Sequence, residues 1–160
     1  MEIRSAHPSQ AAELSQLAWA AKSHWGYVPE DLENWRPSLT VAAESMLDRP
    51  TYIADHQGAV VGFYQLAPLG AGIELDHFWV HPDHQRRGIG RQLLQHAAQH
   101  ARALGHRSLH IDADPNAEGF YLACGAVRIG VLAAPSCIDP QRVRPQLRLA
   151  TACGADDVFV

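Results

Sequence analysis

A chain of 160 residues, 47% hydrophobic and 19% charged, fits one globular domain whose apolar burial can offset its ordering entropy, which excludes a disordered protein. Its formal net charge of −4 excludes general affinity for nucleic acid, which rests on many cations neutralising phosphates. No stretch approaches the roughly 18 consecutive apolar residues of a membrane span, and no signal-peptide core follows Met1.

In chain order, Ile3 to Ala6 reads as a first strand. Pro8 opens a helix whose stripe is Ala12, Leu14, Leu17, Ala18 and Ala21, ending near Lys22-Ser23-His24. Lys22 is the only lysine, so Schiff-base or P-loop chemistry has almost nothing to work with. An aromatic loop, Trp25-Gly26-Tyr27-Val28-Pro29, follows, and a second helix is expected from about Ser38 to Leu47, stopped by Pro50. Thr51 to Asp55 and Ala59 to Leu66 form a hairpin about His56-Gln57-Gly58. Ile73 to Val80 is apolar on both faces, as for a central strand covered on both sides. A helix then starts at Gly88, carries Leu93, Leu94, Ala97, Ala101 and Leu104 at helical spacing, and stops at Gly105. Ser108 to Asp112 is a strand, Pro115 to Ala123 a short helix ended by Gly125, and Ala126 to Leu132 and Leu147 to Ala150 are closing strands. These elements make a domain over 1–150, with a loose tail over 151–160.

The segment carrying most chemistry is His81-Pro82-Asp83-His84-Gln85-Arg86-Arg87-Gly88-Ile89-Gly90-Arg91. It joins a buried strand to a helix start, where backbone N–H groups lack intrahelical acceptors and the helix dipole is positive. Glycines let a phosphate approach the backbone, and Arg86, Arg87 and Arg91 add guanidinium charge, so a pyrophosphate or similar polyanion is the implied ligand. A dinucleotide fingerprint would need a third glycine where Leu93 stands, and a Walker A loop would need Gly-Lys-Ser or Gly-Lys-Thr.

What the segment does spell is Gln-x-x-Gly-x-Gly, and here the sequence resembles the GCN5-related N-acetyltransferase (GNAT) family, whose acetyl-CoA-binding signature is [QR]-x-x-G-x-[GA]. Three contexts strengthen the likeness: the strand end Val80-His81-Pro82, the amphipathic helix that follows, and Asn116-Ala117-Glu118-Gly119-Phe120-Tyr121 with Gly125 downstream, similar to the family's second signature. The resemblance spans nearly the whole chain and implies a single α/β domain, a mixed and mainly antiparallel sheet flanked by helices, splayed to admit acetyl-CoA. It implies that Phe78, Trp79 and Val80 run beside the pantetheine arm, that Gln85, Arg86, Arg87, Gly88, Ile89, Gly90 and Arg91 hold the phosphates, and that Tyr121 protonates the departing thiolate. Where many members carry an asparagine contacting the cofactor, this chain has Asp114, with Asn116 two residues on; either or neither makes that contact. For the base, Glu74 ranks first by its fourteen-residue spacing to Gly88, Asp76 second because the strand period puts it on the same face, and Asp112 is a further strand carboxylate.

The activity implied is acetyl transfer by direct attack to a primary amine of a small molecule or peptide, the alternative being a non-catalytic acyl-CoA-binding module. Trp25 and Tyr27 are a candidate substrate wall suited to a cation, against a core role at even weight. The acceptor's identity resides in loops such as Ser23 to Trp35 and Pro135 to Pro145 and is not fixed by family. No metal is expected: His96 and His100 form an i, i+4 pair without the H-E-x-x-H carboxylate and read as a solvated face, and His77 and His81 lack a third ligand. Cys124, Cys137 and Cys153 lie far apart without C-x-x-C, a pattern of reduced thiols that suits a cytoplasmic protein, and Cys124 reads as a small buried residue. No membrane or nucleic-acid partner is expected, and a homodimer is compatible with the sequence.

Overall fold

The computed structural model describes residues 1–152. Seven strands form one sheet in the order β1-β2-β3-β4-β5-β7-β6, namely β1 (Glu2–Ser5), β2 (Thr51–His56), β3 (Ala59–Leu69), β4 (Gly72–Val80), β5 (Ser108–Asp112), β6 (Val127–Ala133) and β7 (Val143–Ala150). Every neighbouring pair is antiparallel except β4 and β5, which meet in parallel register at Glu74 opposite His110. Beyond that step toward the C-terminal ends no further register pair joins the two strands, so the β4 edge from Asp76 to Val80 facing β5 has no ladder partner there.

Helices α1 (Ala11–Ser23), α2 (Pro29–Leu39), α3 (Ser45–Asp48), α4 (Ile89–Ala103) and α5 (Glu118–Ala123) flank the sheet. On one face, Leu93, Leu94, Ala97 and Ala101 of α4 pack with Leu66, Leu75, Leu109, Ile111 and Leu147. On the other, Leu14, Leu17 and Ala18 of α1 pack with Ile53 and Phe63. This explains why β4 is apolar on both sides. Ile73 and Leu75 face α4, whereas Trp79 packs against the α1 cluster and His77 stacks on Phe63.

Four expectations change. The helix placed over Ser38 to Leu47 is not one element: α2 covers Pro29–Leu39 and only the single-turn α3, Ser45–Asp48, stands nearer Pro50; Pro29 sits in the first turn of α2 with Glu30 and Asp31, an arrangement favoured by the fixed φ of proline and the helix dipole. The α-helix expected from Pro8 starts at Ala11 behind a 3-10 turn, Pro8–Gln10, and Ala12 is exposed. Leu104 is not on the buried stripe; it is the half-helical residue ending α4 and 51% exposed, while Ile89 and Ala98 complete the buried face. Thr151 is not in a loose tail, since it is buried, its N–H donates to Arg107 O at 3.0 Å and its hydroxyl to His106 O at 2.8 Å. The rest of that expected tail, Cys153 included, lies outside the described residues. No helix among the described residues is long and apolar enough to cross a membrane.

Candidate active site

The β4–α4 connection is built around backbone left exposed. Arg86 (φ +62°) and Gly88 (φ +80°) are both left-handed, and Gly88 begins α4 with no side-chain cap and no acidic residue in the first turn. A side chain at Gly88 would be strained by that φ though the space around it is open. Gly90 is glycine for closeness: a Cβ there would lie 3.2 Å from the Phe120 ring. Among the described residues, none of the backbone N–H groups from Arg86 to Arg91 finds a protein acceptor, and the side chains of Arg86, Arg87 and Arg91 have no ion-pair partner. Consecutive free amides at a positive helix end form an anion-binding nest. Gln85 plays a different part, its side-chain amide donating to Val80 O at 3.3 Å and tying the loop to the strand end. A groove of about 400 Å³ runs along α4 from Arg91 to Gln99, closed by Cys124 and the end of β7. Cys124 is half-buried there, its thiol raised above the ordinary range by burial and held back by Arg91.

Tyr121 lies on α5 directly after β5. Its ring packs against Phe120 and Phe78 at 5.2 and 5.8 Å between centroids. The residue is 6% exposed, burial followed by the nearby charge of Asp114 pushes its phenol upward, and its hydroxyl has no hydrogen-bond partner among the described residues. The ring is buried but the hydroxyl oxygen is not sealed from solvent, so it is open to a ligand.

The carboxylates differ from one another. Glu74 is half-buried with no hydrogen-bond or ion-pair partner among the described residues, and its carboxyl is raised by burial and then by Asp76 and Asp112. A bulge in β4, where Gln65 opposes His77 and Leu66 opposes Leu75, makes Asp76 the extra residue; it pairs with Arg49 at 3.0 Å, and its charge still reaches Glu74. Asp112 is held by both nitrogens of the Arg144 fork, at 2.8 and 2.9 Å.

Asp114 is the centre of an ion cluster that sequence reasoning missed. Its Oδ2 accepts from Lys22 Nζ (2.6 Å), Tyr27 Oη (2.8 Å) and Arg142 Nη2 (3.2 Å), and its Oδ1 from the Asn116 backbone and side-chain nitrogens (2.8 and 2.9 Å). Both oxygens are consumed, and with a side chain 6% exposed Asp114 has no lone pair to offer a ligand. Burial pushes its carboxyl up, but Lys22 and the hydrogen bonds outweigh that and hold it below the usual range. Burial lowers Lys22 more than Asp114 raises it, and takes Tyr27 up to about 12. The aromatic loop does hold cations, but they are the chain's own: Lys22 Nζ lies 5.1 and 4.7 Å from the Tyr27 and Trp35 ring centroids, and the Arg142 guanidinium 5.2 and 4.7 Å from the same rings. Tyr27 is thus a cluster member; half-buried Trp25 lies at its edge, its ring centroid 5.8 Å from Lys22 Nζ and 6.2 Å from that of Trp79. Lys22 and Tyr27, Asp114, and Arg142 come from three distant stretches of the chain, and no local spacing announces the cluster.

His96 and His100 are not a solvated face either; both pack on the Tyr52 ring, and Tyr64 Oη lies 2.7 Å from His96 Nδ1. Among the described residues no group of three or more His, Cys, Asp or Glu could hold a metal ion.

This architecture is that of a known fold. The chain is similar to a GCN5-related N-acetyltransferase from Rhodopseudomonas palustris, at 24% identity and TM-score 0.76 over 93% of this chain and 94% of that one. It is also similar to a ribosomal-protein-alanine N-acetyltransferase from Brucella melitensis, at 21% and 0.71 over 94% and 99%. A third likeness is to the PaiA N-acetyltransferase of Thermoplasma acidophilum in complex with coenzyme A, at 17% and 0.69 over 93% and 98%. No curated protein matches the sequence significantly. The profile of the acetyltransferase (GNAT) family matches residues 11–126, most of the chain and both the nest and Tyr121, and the protein therefore belongs to that family.

Proposed function

We propose that the protein transfers the acetyl group of acetyl-CoA to a primary amine of a small molecule or peptide. The observation carrying this reading is the run of acceptor-free amides from Arg86 to Arg91 at a positive helix end, beside the unpaired β4 edge and the unpartnered hydroxyl of Tyr121. The residues suit the ligand: amides and the guanidinium groups of Arg86, Arg87 and Arg91 for the pyrophosphate, with Ile89 and Gly90 in the same turn, and the backbone of Phe78, Trp79 and Val80 for the pantetheine arm. Gln85 supports that loop through Val80 rather than holding phosphate. Asp114 clamps the turn before α5 instead of touching the ligand, and Asn116, whose side-chain nitrogen is spent on Asp114 and Tyr27, keeps only its carbonyl free.

In the reaction, the enzyme orients amine and thioester so that attack becomes effectively unimolecular, the largest available gain. The amine must lose protons to react, and among the strand carboxylates the unpartnered Glu74, raised by burial and then by Asp76 and Asp112, ranks first as an acceptor; Asp76, engaged by Arg49, is second. As the carbon–sulfur bond breaks, Tyr121 donates its proton to the departing sulfur, the transfer being driven by the negative charge that develops there. Trp25 lines the acceptor side, with Tyr27 fixing the loop behind it. The half-buried and exposed free thiols of Cys124 and Cys137 suit a cytoplasmic setting.

The test is release of CoA from acetyl-CoA across amines, polyamines, amino acids, aminoglycosides and peptide N-termini. Amine-dependent release is expected; none with any amine refutes the reading.

A further inference from the structure

We infer that His110 takes the proton from the incoming amine, working beside Glu74 and held in its reactive tautomer by Gln146. The inference rests on the acetyl-transfer reading and adds a residue to it.

His110 stands on β5 at the one register pair joining β4 and β5, opposite Glu74, immediately before the strands part. Its neighbours Leu109 and Ile111 are buried in the α4 cluster, as are Ile73 and Leu75 on either side of Glu74. By the alternation of strand side chains, His110 and Glu74 both turn to the opposite face, that of the acceptor.

The ring is fixed by a directed chain. Asp112, held by the Arg144 fork, can only accept, so the amide of Gln146 turns its nitrogen to it, Nε2 to Oδ1 at 2.9 Å. Its carbonyl oxygen then faces His110, 2.9 Å from Nε2. An amide oxygen can only accept, so His110 carries its proton on Nε2, and Nδ1 presents a lone pair that no described residue uses. Gln146 is 8% exposed and cannot easily turn. Base, orienting group and anchored acid in series are the logic by which an enzyme holds a histidine ready. The charged and titratable groups facing this ring are Glu74 and the Arg49-paired Asp76 on β4, Asp112 on its own strand, and Arg144 and Arg148 on β7.

The protons balance. The acceptor arrives as an ammonium and gives one proton to His110 Nδ1, which passes it to solvent. The amine lone pair forms the carbon–nitrogen bond, the carbon–sulfur bond breaks, and sulfur takes the proton of Tyr121. The second nitrogen proton, lost through Glu74, restores Tyr121. Each turnover yields one acetamide, one CoA thiol and one released proton.

The test uses the amine giving the fastest CoA release with wild type, and compares His110→Ala, His110→Gln and Gln146→Leu over pH, with stabilisation by acetyl-CoA read in parallel. His110→Gln keeps a polar side chain in the place of the ring and guards against misfolding. Both His110 variants should lose about 10²-fold in kcat/KM near neutrality while acetyl-CoA still stabilises them, and added imidazole should restore part of the rate of His110→Ala. Gln146→Leu should lose less, in the same direction. Wild-type rates and pH profiles in the His110 variants overturn the inference, as does a loss without imidazole rescue accompanied by a silent Gln146→Leu. A wild type whose CoA release is stimulated by none of the amines refutes the acetyl-transfer reading itself and removes this inference with it, a result distinct from the other two.

Discussion

The two sides of the splayed strands are built on opposite terms. On the nest side polar groups have no protein partner among the described residues: amides from Arg86 to Arg91 without acceptors, three guanidinium groups without ion pairs, and a phenol without a hydrogen bond. On the acceptor side the cluster about Asp114 is saturated by five donors from α1, the aromatic loop, the β5–α5 turn and the β6–β7 connection. The exposed groups of the nest, Arg86, Arg87, Gly88 and Arg91, are hydrated and escape the cost of buried unpaired polar groups, and a ligand can take the place of that water, whereas a saturated buried charge is a structural tie. The aromatic faces that suit a substrate cation are already used to stabilise the tie.

The largest expected effect breaks the tie. Asp114→Ala leaves Lys22 and Arg142 buried without their anion and should cost about 3–5 kcal/mol, while Lys22→Met leaves the Arg142–Asp114 pair whole and should cost far less, of the order of 1 kcal/mol. Chemical denaturation of both variants measures this, and equal losses would mean that the cluster is not centred on the carboxylate. Next comes the unpartnered phenol. Tyr121→Phe keeps the ring packing and should lower turnover by about 10²-fold with acetyl-CoA affinity nearly unchanged, read by steady-state kinetics. A normal turnover would make Tyr121 a packing residue.

The smallest effect is in pH. The carboxyl of Glu74 is raised by burial and then by the charges of Asp76 and Asp112, so activity that needs it ionised should fall, as pH drops, above the range of an ordinary carboxylate. Asp76→Asn removes a like charge and frees Arg49, both of which favour the ionised form. The acid limb of the rate profile should therefore move to lower pH, and a shift the other way would mean that Glu74 is not the group titrating.

Much of the sheet and of the nest is legible in the sequence because its signals are local: β-branched and aromatic residues about a turn in β2 and β3, a long apolar stripe on α4, glycines at Gly88 and Gly90 next to arginines. The second helix is misplaced from sequence because Pro29, which reads as loop, opens α2, and α2 ends at Leu39; ahead of Pro50 stands only the single-turn α3, Ser45–Asp48. The bulge at Asp76 was hidden because it depends on the partner strand, β3. The Asp114 cluster joins residues 92 and 28 positions away, Lys22 and Arg142, whose meeting only the completed fold decides. His110 and Gln146, 36 positions apart, escape notice for the same reason.

The central claim is that the free amides after β4 hold the phosphates of acetyl-CoA. Thermal and chemical unfolding with acetyl-CoA at about 100 times its Kd should raise wild-type stability by roughly 2.7 kcal/mol. Gly88→Glu, which puts a strained side chain and a negative charge into the nest, should retain the wild-type circular dichroism and lose the whole increment. An increment undiminished in Gly88→Glu, or none in wild type, would contradict the account.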